Sequence, residues 1–181
     1  FASRTGSSLD IIDPCTCAVT PLSPHGYTFI PGITSDYGNG LFAVENNEDA
    51  LLEMDPNTGL ATEIGDFGFN FGTGGATWSD SVQGLYAIDG TSDSLYSVNP
   101  ATGAATLITA IDMDFNTVGI ELHPANDVIY ACTGNSLGSK LVSINSITGQ
   151  HTLIGTLDQA ASCNNLAAPW SNFSCPNWPE L

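Results

Sequence analysis

The sequence predicts an all-β fold of four repeated sheets, and three observations carry that prediction. First, one nine-residue phrase recurs at 9–17, 51–59, 95–103 and 141–149, and its turn residues Asp13, Asp55, Asn99 and Asn145 are 42, 44 and 46 residues apart. Second, each repeat holds four short runs rich in β-branched and aromatic residues, bounded by Gly, Asn, Asp or Pro. Third, no apolar 3.6-residue period persists for three turns. A period of this length made of short strands points to propeller blades or another repeat array. The expected architecture is a single four-bladed β-propeller domain over 1–181. Its blades fall at about 29–65, 73–109, 117–155, and 163–181 joined to 1–22.

The first strand of each blade is expected at 31–36, 74–80, 118–123 and 164–169, where small residues near the start suit the crowded axis. The second strand reads Leu41 to Val44, Leu85 to Ile88 and Ile129 to Cys132. Its fourth copy is split between the termini, with Leu181 preceding Phe1 and Ala2 in the repeat. Three readings follow: the termini close one ring, subunits complete each other's blades, or the chain is a segment of a longer repeat array. In the third strand, Leu9, Leu51, Leu95 and Leu141 form one core column, and Ile12, Met54, Val98 and Ile144 another. In the fourth, Leu22, Ile64, Ile108 and Ile154 are expected to be core. The hairpin between them carries Thr16, Thr58, Thr102 and Thr148, whose hydroxyls suit bonding to the turn backbone. Gly59, Gly103 and Gly149 then suit a left-handed closing residue. Cys17 breaks that glycine column, which suggests a covalent role for it.

Charge excludes several functions. Arg4 and Lys140 are the only fixed cations against 19 carboxylates, for a net charge of −17. Binding to nucleic acid or to anionic lipid needs a basic surface, so neither partner is expected. No run approaches the roughly 20 apolar residues of a membrane span, so no membrane insertion is expected. No basic segment followed by an apolar run marks a signal peptide, so a secreted chain is expected to have lost it. Five cysteines among many Ser, Thr, Asn and Gly residues fit an oxidising compartment. Cys175 is expected to pair with Cys15 or Cys17, locking the termini, and Cys132 with Cys163, bridging neighbouring blades. Asn172 opens an Asn-Phe-Ser glycosylation sequon.

The repeats resemble, over essentially the whole chain, β-propeller blades of secreted proteins carrying a Leu-Tyr-x-(Ile/Val)-(Asp/Asn)-Pro-x-Thr-Gly-x-x-Thr-x-Ile-Gly pattern. The resemblance implies the fold and an extracellular or cell-surface setting. Propellers host hydrolases, lyases, lectins and scaffolds, so it implies no single activity.

Nine carboxylates are expected on the loop face that joins strand two to three and one blade to the next: Glu45, Glu48, Asp49, Asp66, Asp89, Asp93, Asp112, Asp114 and Asp158. Asp66, Asp112 and Asp158 are near-equivalent by repeat and are candidates to ring the axial opening. Asp112, Asp114 and Asn116 have the alternating oxygen spacing that begins a calcium loop, without the glycine and terminal glutamate of an EF-hand. Calcium (Ca2+) is therefore the one candidate cofactor, against a bland reading of solvated turns. Trp78, Trp170 and Tyr37 are candidate stacking platforms for sugar, against the bland reading of rings filling gaps between blades. His25, His123 and His151 fall at unlike places in their repeats and form no obvious metal triad. No nucleophile elbow, zinc-protease helix or Walker loop is present, so no catalytic residue is assigned. The expected function is a secreted, non-enzymatic module for extracellular binding or assembly. Its partners would be further copies of itself, an extracellular protein or a glycan. A filament subunit joined by blade completion, and a lectin or carbohydrate-active enzyme, are the alternatives.

Overall fold

The computed structural model describes residues 1–4, 8–36, 38, 40–135, 138–157 and 162–167. Strands β1 (Ala2–Arg4), β2 (Ser8–Ile12) and β3 (Val19–Pro24) form a sheet in that order. Three four-stranded antiparallel meanders follow. They are β4 (Gly32–Ser35), β5 (Leu41–Glu45), β6 (Ala50–Met54), β7 (Ala61–Asp66); then β8 (Gly74–Ser79), β9 (Gly84–Asp89), β10 (Ser94–Val98), β11 (Ala105–Ala110); then β12 (Gly119–His123), β13 (Val128–Asn135), β14 (Gly138–Ile144), β15 (His151–Leu157). These sheets are the blades of a four-bladed β-propeller, and we number them one to three, with the β1–β3 sheet as the closing blade.

The innermost strands meet around the axis because their facing positions lack bulk. A Cβ on Gly32 would lie 3.3 Å from the Gly75 Cα, and one on Gly75 would lie 3.0 Å from the Ile120 Cγ2. One on Gly119 would lie 2.8 Å from the Asn165 Cα, so the 162–167 segment takes the fourth place in this ring. Hydroxyls then stitch blade to blade: the Trp78 N–H donates to Thr34 Oγ1 at 3.0 Å, and the Leu122 N–H donates to Thr77 Oγ1 at 2.9 Å.

The core is correspondingly divided into three apolar layers, one at each seam between successive blades. Leu9 packs with Leu41, Leu52 and Met54; Phe42, Val44 and Leu51 with Trp78, Leu85 and Val98; Ile88 and Leu95 with Ile120, Ile129 and Val142. Each layer joins one face of a blade to the opposite face of the next, as the two-residue strand period demands.

The hairpin between the third and fourth strands is the repeated joint on the outside. Gly59, Gly103 and Gly149 adopt φ of 82°, 76° and 71°, and all three are buried. Each is pressed against the fourth strand of the preceding blade. A Cβ on Gly59 would lie 2.8 Å from the Leu22 Cβ, and Cβ atoms on Gly103 and Gly149 would overlap the carbonyl oxygens of Gly65 and Ala110. Glycine is required twice over, for the left-handed backbone and for the close approach.

Three expectations need correction. Of the fourth-strand column, Ile108 and Ile154 are exposed, whereas Leu22 and Ile64, skipped by a like register shift in their own sheets, are half-buried against the core. Ile12 is 42% exposed, whereas Met54, Val98 and Ile144 in its column are at most 4% exposed. Residues 162–167 run as irregular chain rather than as the expected inner strand, so the closing sheet has three strands among the described residues. The remainder of that expected strand, and Leu181, lie outside the described residues.

Candidate functional site

The loop face is built on buried carboxylates. Glu45, which ends β5, is 1% exposed; its Oε1 accepts the Phe29 N–H at 3.2 Å, and its Oε2 accepts those of Asn47 and Glu48 at 2.7 and 2.6 Å. Asp89 holds the equivalent place in blade two: Oδ1 accepts the N–H groups of Gly72 and Thr91, and Oδ2 accepts that of Ser92. In blade three the Thr133 hydroxyl takes over, accepting the Asn116 N–H at 3.2 Å. One residue in each of blades one to three thus ties a β-hairpin to the segment entering the axis.

Asp49 and Asp93 add a second tie. Both adopt positive φ, and their Oδ1 atoms accept the N–H groups of Phe71 and Phe115, each at 2.8 Å. Four of the nine carboxylates expected on this loop face are therefore structural acceptors, because a buried hairpin end leaves N–H groups that need partners. Glu48, Asp66, Asp112 and Asp114 remain exposed on this framework.

The residues proposed for calcium are not brought together as one set. Among the described residues no three His, Cys, Asp or Glu side chains are grouped so as to hold an ion. Asp66 Oδ1 accepts the Gly68 N–H in its own turn. Asp112 Oδ1 lies 2.7 Å from His151 Nδ1 and also accepts the His151 N–H at 3.0 Å. These bonds from His151 hold the Asp112 carboxyl below its ordinary range. Asp114 and Asn116 do meet, with Lys140, Met113 and Thr133, around a cleft of about 260 Å³. Asp158 lies outside the described residues. The Asp112–His151 pair escaped the sequence reading, since its members sit 39 residues apart and in different blades.

Trp78 is not a sugar platform. It is 7% exposed, stacks on Phe42 with centroids 5.7 Å apart and planes at 6°, and donates from Nε1 to Asp80 Oδ1 at 2.9 Å. Its ring fills the gap between two blades, where apolar area is worth most. Trp170, Tyr37 and Asn172 lie outside the described residues.

Cys132 and Cys163 form the expected disulfide, with Cα atoms 5.7 Å apart. Cys15 is disulfide-bonded and Cys17 is free, while Cys175 lies outside the described residues. Cys17 adopts φ 57° and donates its N–H to the Asp13 carbonyl at 2.8 Å, as Gly59 does to Asp55 at 2.7 Å. The suggested covalent role is thus replaced by a conformational one: Cys17 occupies the left-handed glycine position.

His25 is 2% exposed, in the connection from the closing blade to blade one. Its Nδ1 accepts the Tyr27 N–H at 3.2 Å and its Nε2 has no partner among the described residues. Burial lowers its pKa from the usual 6.5, opposed by the nearby Glu45 charge.

A groove of about 760 Å³ opens on the outer part of blade two, between Tyr86, Ser97, Thr106 and Ile108 and the turn at Val82.

Comparison with known proteins bears on the fold alone. No protein-family model matches the sequence, and no curated protein matches it. The structure is similar to a chain of the nidogen/laminin complex, with a TM-score of 0.64 and 12% identity, over 85% of this chain and 60% of that one. It is also similar to a structural-genomics protein of unknown function from Bacteroides thetaiotaomicron, with a TM-score of 0.62 and 16% identity, over 81% of this chain and 38% of that one. The chain thus matches less than two thirds of the length of either structure.

Proposed function

We propose that this chain is a secreted, non-enzymatic propeller module that binds or assembles outside the cell. The observation that carries the reading is the loop face, where buried Glu45 and Asp89 fix the hairpins while Glu48, Asp66, Asp112 and Asp114 stay exposed. Such a face presents negative charge from a fixed frame, and its natural complement is a basic protein surface or a cation. The Cys132–Cys163 disulfide supports a non-reducing compartment. The likeness to a chain from the nidogen/laminin complex supports protein binding as the class of role.

Light scattering and negative-stain microscopy, with calcium and then with chelator, test the reading. A compact monomer that is captured by a basic extracellular matrix protein, and released by salt, is the expected result. Failure of capture at low salt, or turnover of a polysaccharide, would sink it. Calcium-dependent mass or melting temperature would assign the exposed carboxylates to the ion. A second reading, a filament subunit joined by blade completion, is favoured by the three-stranded closing sheet among the described residues. Polymers that grow with protein concentration would select it.

A further inference from the structure

Two seams differ by a tryptophan in one and a leucine in the other, and a groove opens beside the leucine seam. Trp78 and Leu122 hold equivalent places, since each donates its N–H to a threonine hydroxyl of the preceding inner strand, Thr34 and Thr77. Those threonines pair across their sheets with Phe42 and Tyr86, which are therefore equivalent as well. Between blades one and two, the indole stacks on Phe42, and Ile64 packs into the same layer. Between blades two and three, Leu122 has no ring to stack on Tyr86. There Tyr86 stays half-buried and Ile108, in the repeat column of Ile64, is 37% exposed. Both line the groove of about 760 Å³ on blade two.

We propose that this groove is a binding site for an uncharged, β-linked oligosaccharide of pyranose units. Its charge comes first: no residue that lines it is charged, although the chain carries −17. Neither an anionic nor a cationic ligand would find a partner there. Its chemistry is mixed. The Tyr86 hydroxyl makes no hydrogen bond to protein among the described residues, whereas that of Tyr130, at the same place in blade three, accepts from Asn126 Nδ2 at 3.1 Å. Ser97, Asn99 and Thr106 add hydroxyl and amide groups beside apolar Val82 and Ile108. A pyranose with equatorial hydroxyls has the matching character, with C–H faces above and below and hydroxyls around its rim. The volume falls in the range of about 300–1,000 Å³ usual for ligand pockets. With no carboxylate in its lining, the groove supplies neither acid nor nucleophile for glycoside hydrolysis, so the sugar is held and released intact. The turns that border it join β8 to β9 and β10 to β11, at the strand ends opposite the loop face. The site is thus separate from the acidic frame of the function above.

Isothermal titration calorimetry of the whole protein with cellotriose and chitotriose, and with trigalacturonate as the charged counterpart, tests the assignment. The expected result is saturable binding of a neutral trisaccharide at millimolar concentration, unchanged by salt, with the sugar recovered intact and trigalacturonate unbound. Tyr86→Phe keeps the packed ring and removes only the hydroxyl, and should weaken binding about tenfold. Thr106→Trp, at an exposed position in the groove wall, should abolish binding by filling the space, with an unchanged urea midpoint showing that the fold is kept. Binding that survives Thr106→Trp would place the sugar elsewhere and overturn the proposal. So would failure of both neutral trisaccharides to bind, a preference for trigalacturonate, or binding of a blocked, uncharged Ser/Thr hexapeptide in their place. Capture by a basic matrix protein, which salt releases, is measured on the same variants. Its persistence when sugar binding fails would leave the acidic loop face standing, and its loss would sink that reading instead.

Discussion

The seam between blades one and two and the seam between blade three and the closing blade are built from the same repeat, yet they differ in what they bury. The first holds Phe42, Leu51, Trp78, Leu85 and Val98 in one apolar layer, with Gly103 pressed on Gly65. In the second, Ile12 and Ile154 stand in solvent and a disulfide joins Cys132 to Cys163. An internal seam is made by neighbouring segments of chain and is held by area. At the closing seam a covalent link between residues 31 apart in the chain takes over part of that role, since it restricts the unfolded chain.

The largest expected effect separates the seams by area. Trp78→Ala should lose about 4 kcal/mol in urea unfolding, because it removes a buried ring and leaves a cavity. Ile12→Ala should lose less than about 1 kcal/mol. Equal losses would show that the closing seam is packed like the others. Slightly smaller is the covalent contribution. Removing the link with Cys132→Ser and Cys163→Ser together should lower stability by about 3.5 kcal/mol, the chain entropy of a loop of this length. An unchanged urea midpoint would mean that packing alone holds the closing segment.

The hairpin glycines sharpen the contrast further. Gly103→Ala should cost about 2 kcal/mol through left-handed strain and overlap with Gly65. Cys17→Gly should instead stabilise by about 0.5 kcal/mol, since it relieves φ 57° at a hairpin where nothing is displaced. Melting curves of the two variants that shift in the same direction would refute that difference.

The smallest effect is a pH dependence at His25. Its folded pKa is lowered, so the unfolded chain binds the proton more readily. The contribution is complete above about pH 6.5. It is lost as pH falls through the lower folded value. A urea midpoint that drops on acidification in the parent, and drops less in His25→Gln, is the expected pattern; parallel pH profiles would remove His25 from the account.

Much of the fold was legible in the sequence because the repeat places like residues at like positions. The third-strand leucines Leu9, Leu51 and Leu95, the hairpin threonines and the left-handed glycines follow from their columns, while Leu141 is only half-buried. The disulfide between Cys132 and Cys163 was legible for the same reason, since both lie near strands of adjacent blades. The fourth-strand column misled because all four sheets share a register shift there, and yet Leu22 and Ile64 pack on the core while Ile108 and Ile154 stand exposed. The candidate site was less legible. An Asp or Glu at a strand end reads alike whether it faces solvent or, as Glu45 and Asp89 do, accepts buried N–H groups. Trp78 reads alike as a platform or as filling between blades.

The sequence by itself determined the number of blades, the strands within three of them and the residues that turn each hairpin. These depend on local backbone preference and on alternation along a strand, both written within a few residues. Only the tertiary structure decided which carboxylates are buried, which histidine meets Asp112 and where Cys17 is left uncovered. Those outcomes depend on what a neighbouring blade places opposite a side chain, and that neighbour lies some forty residues away in the chain.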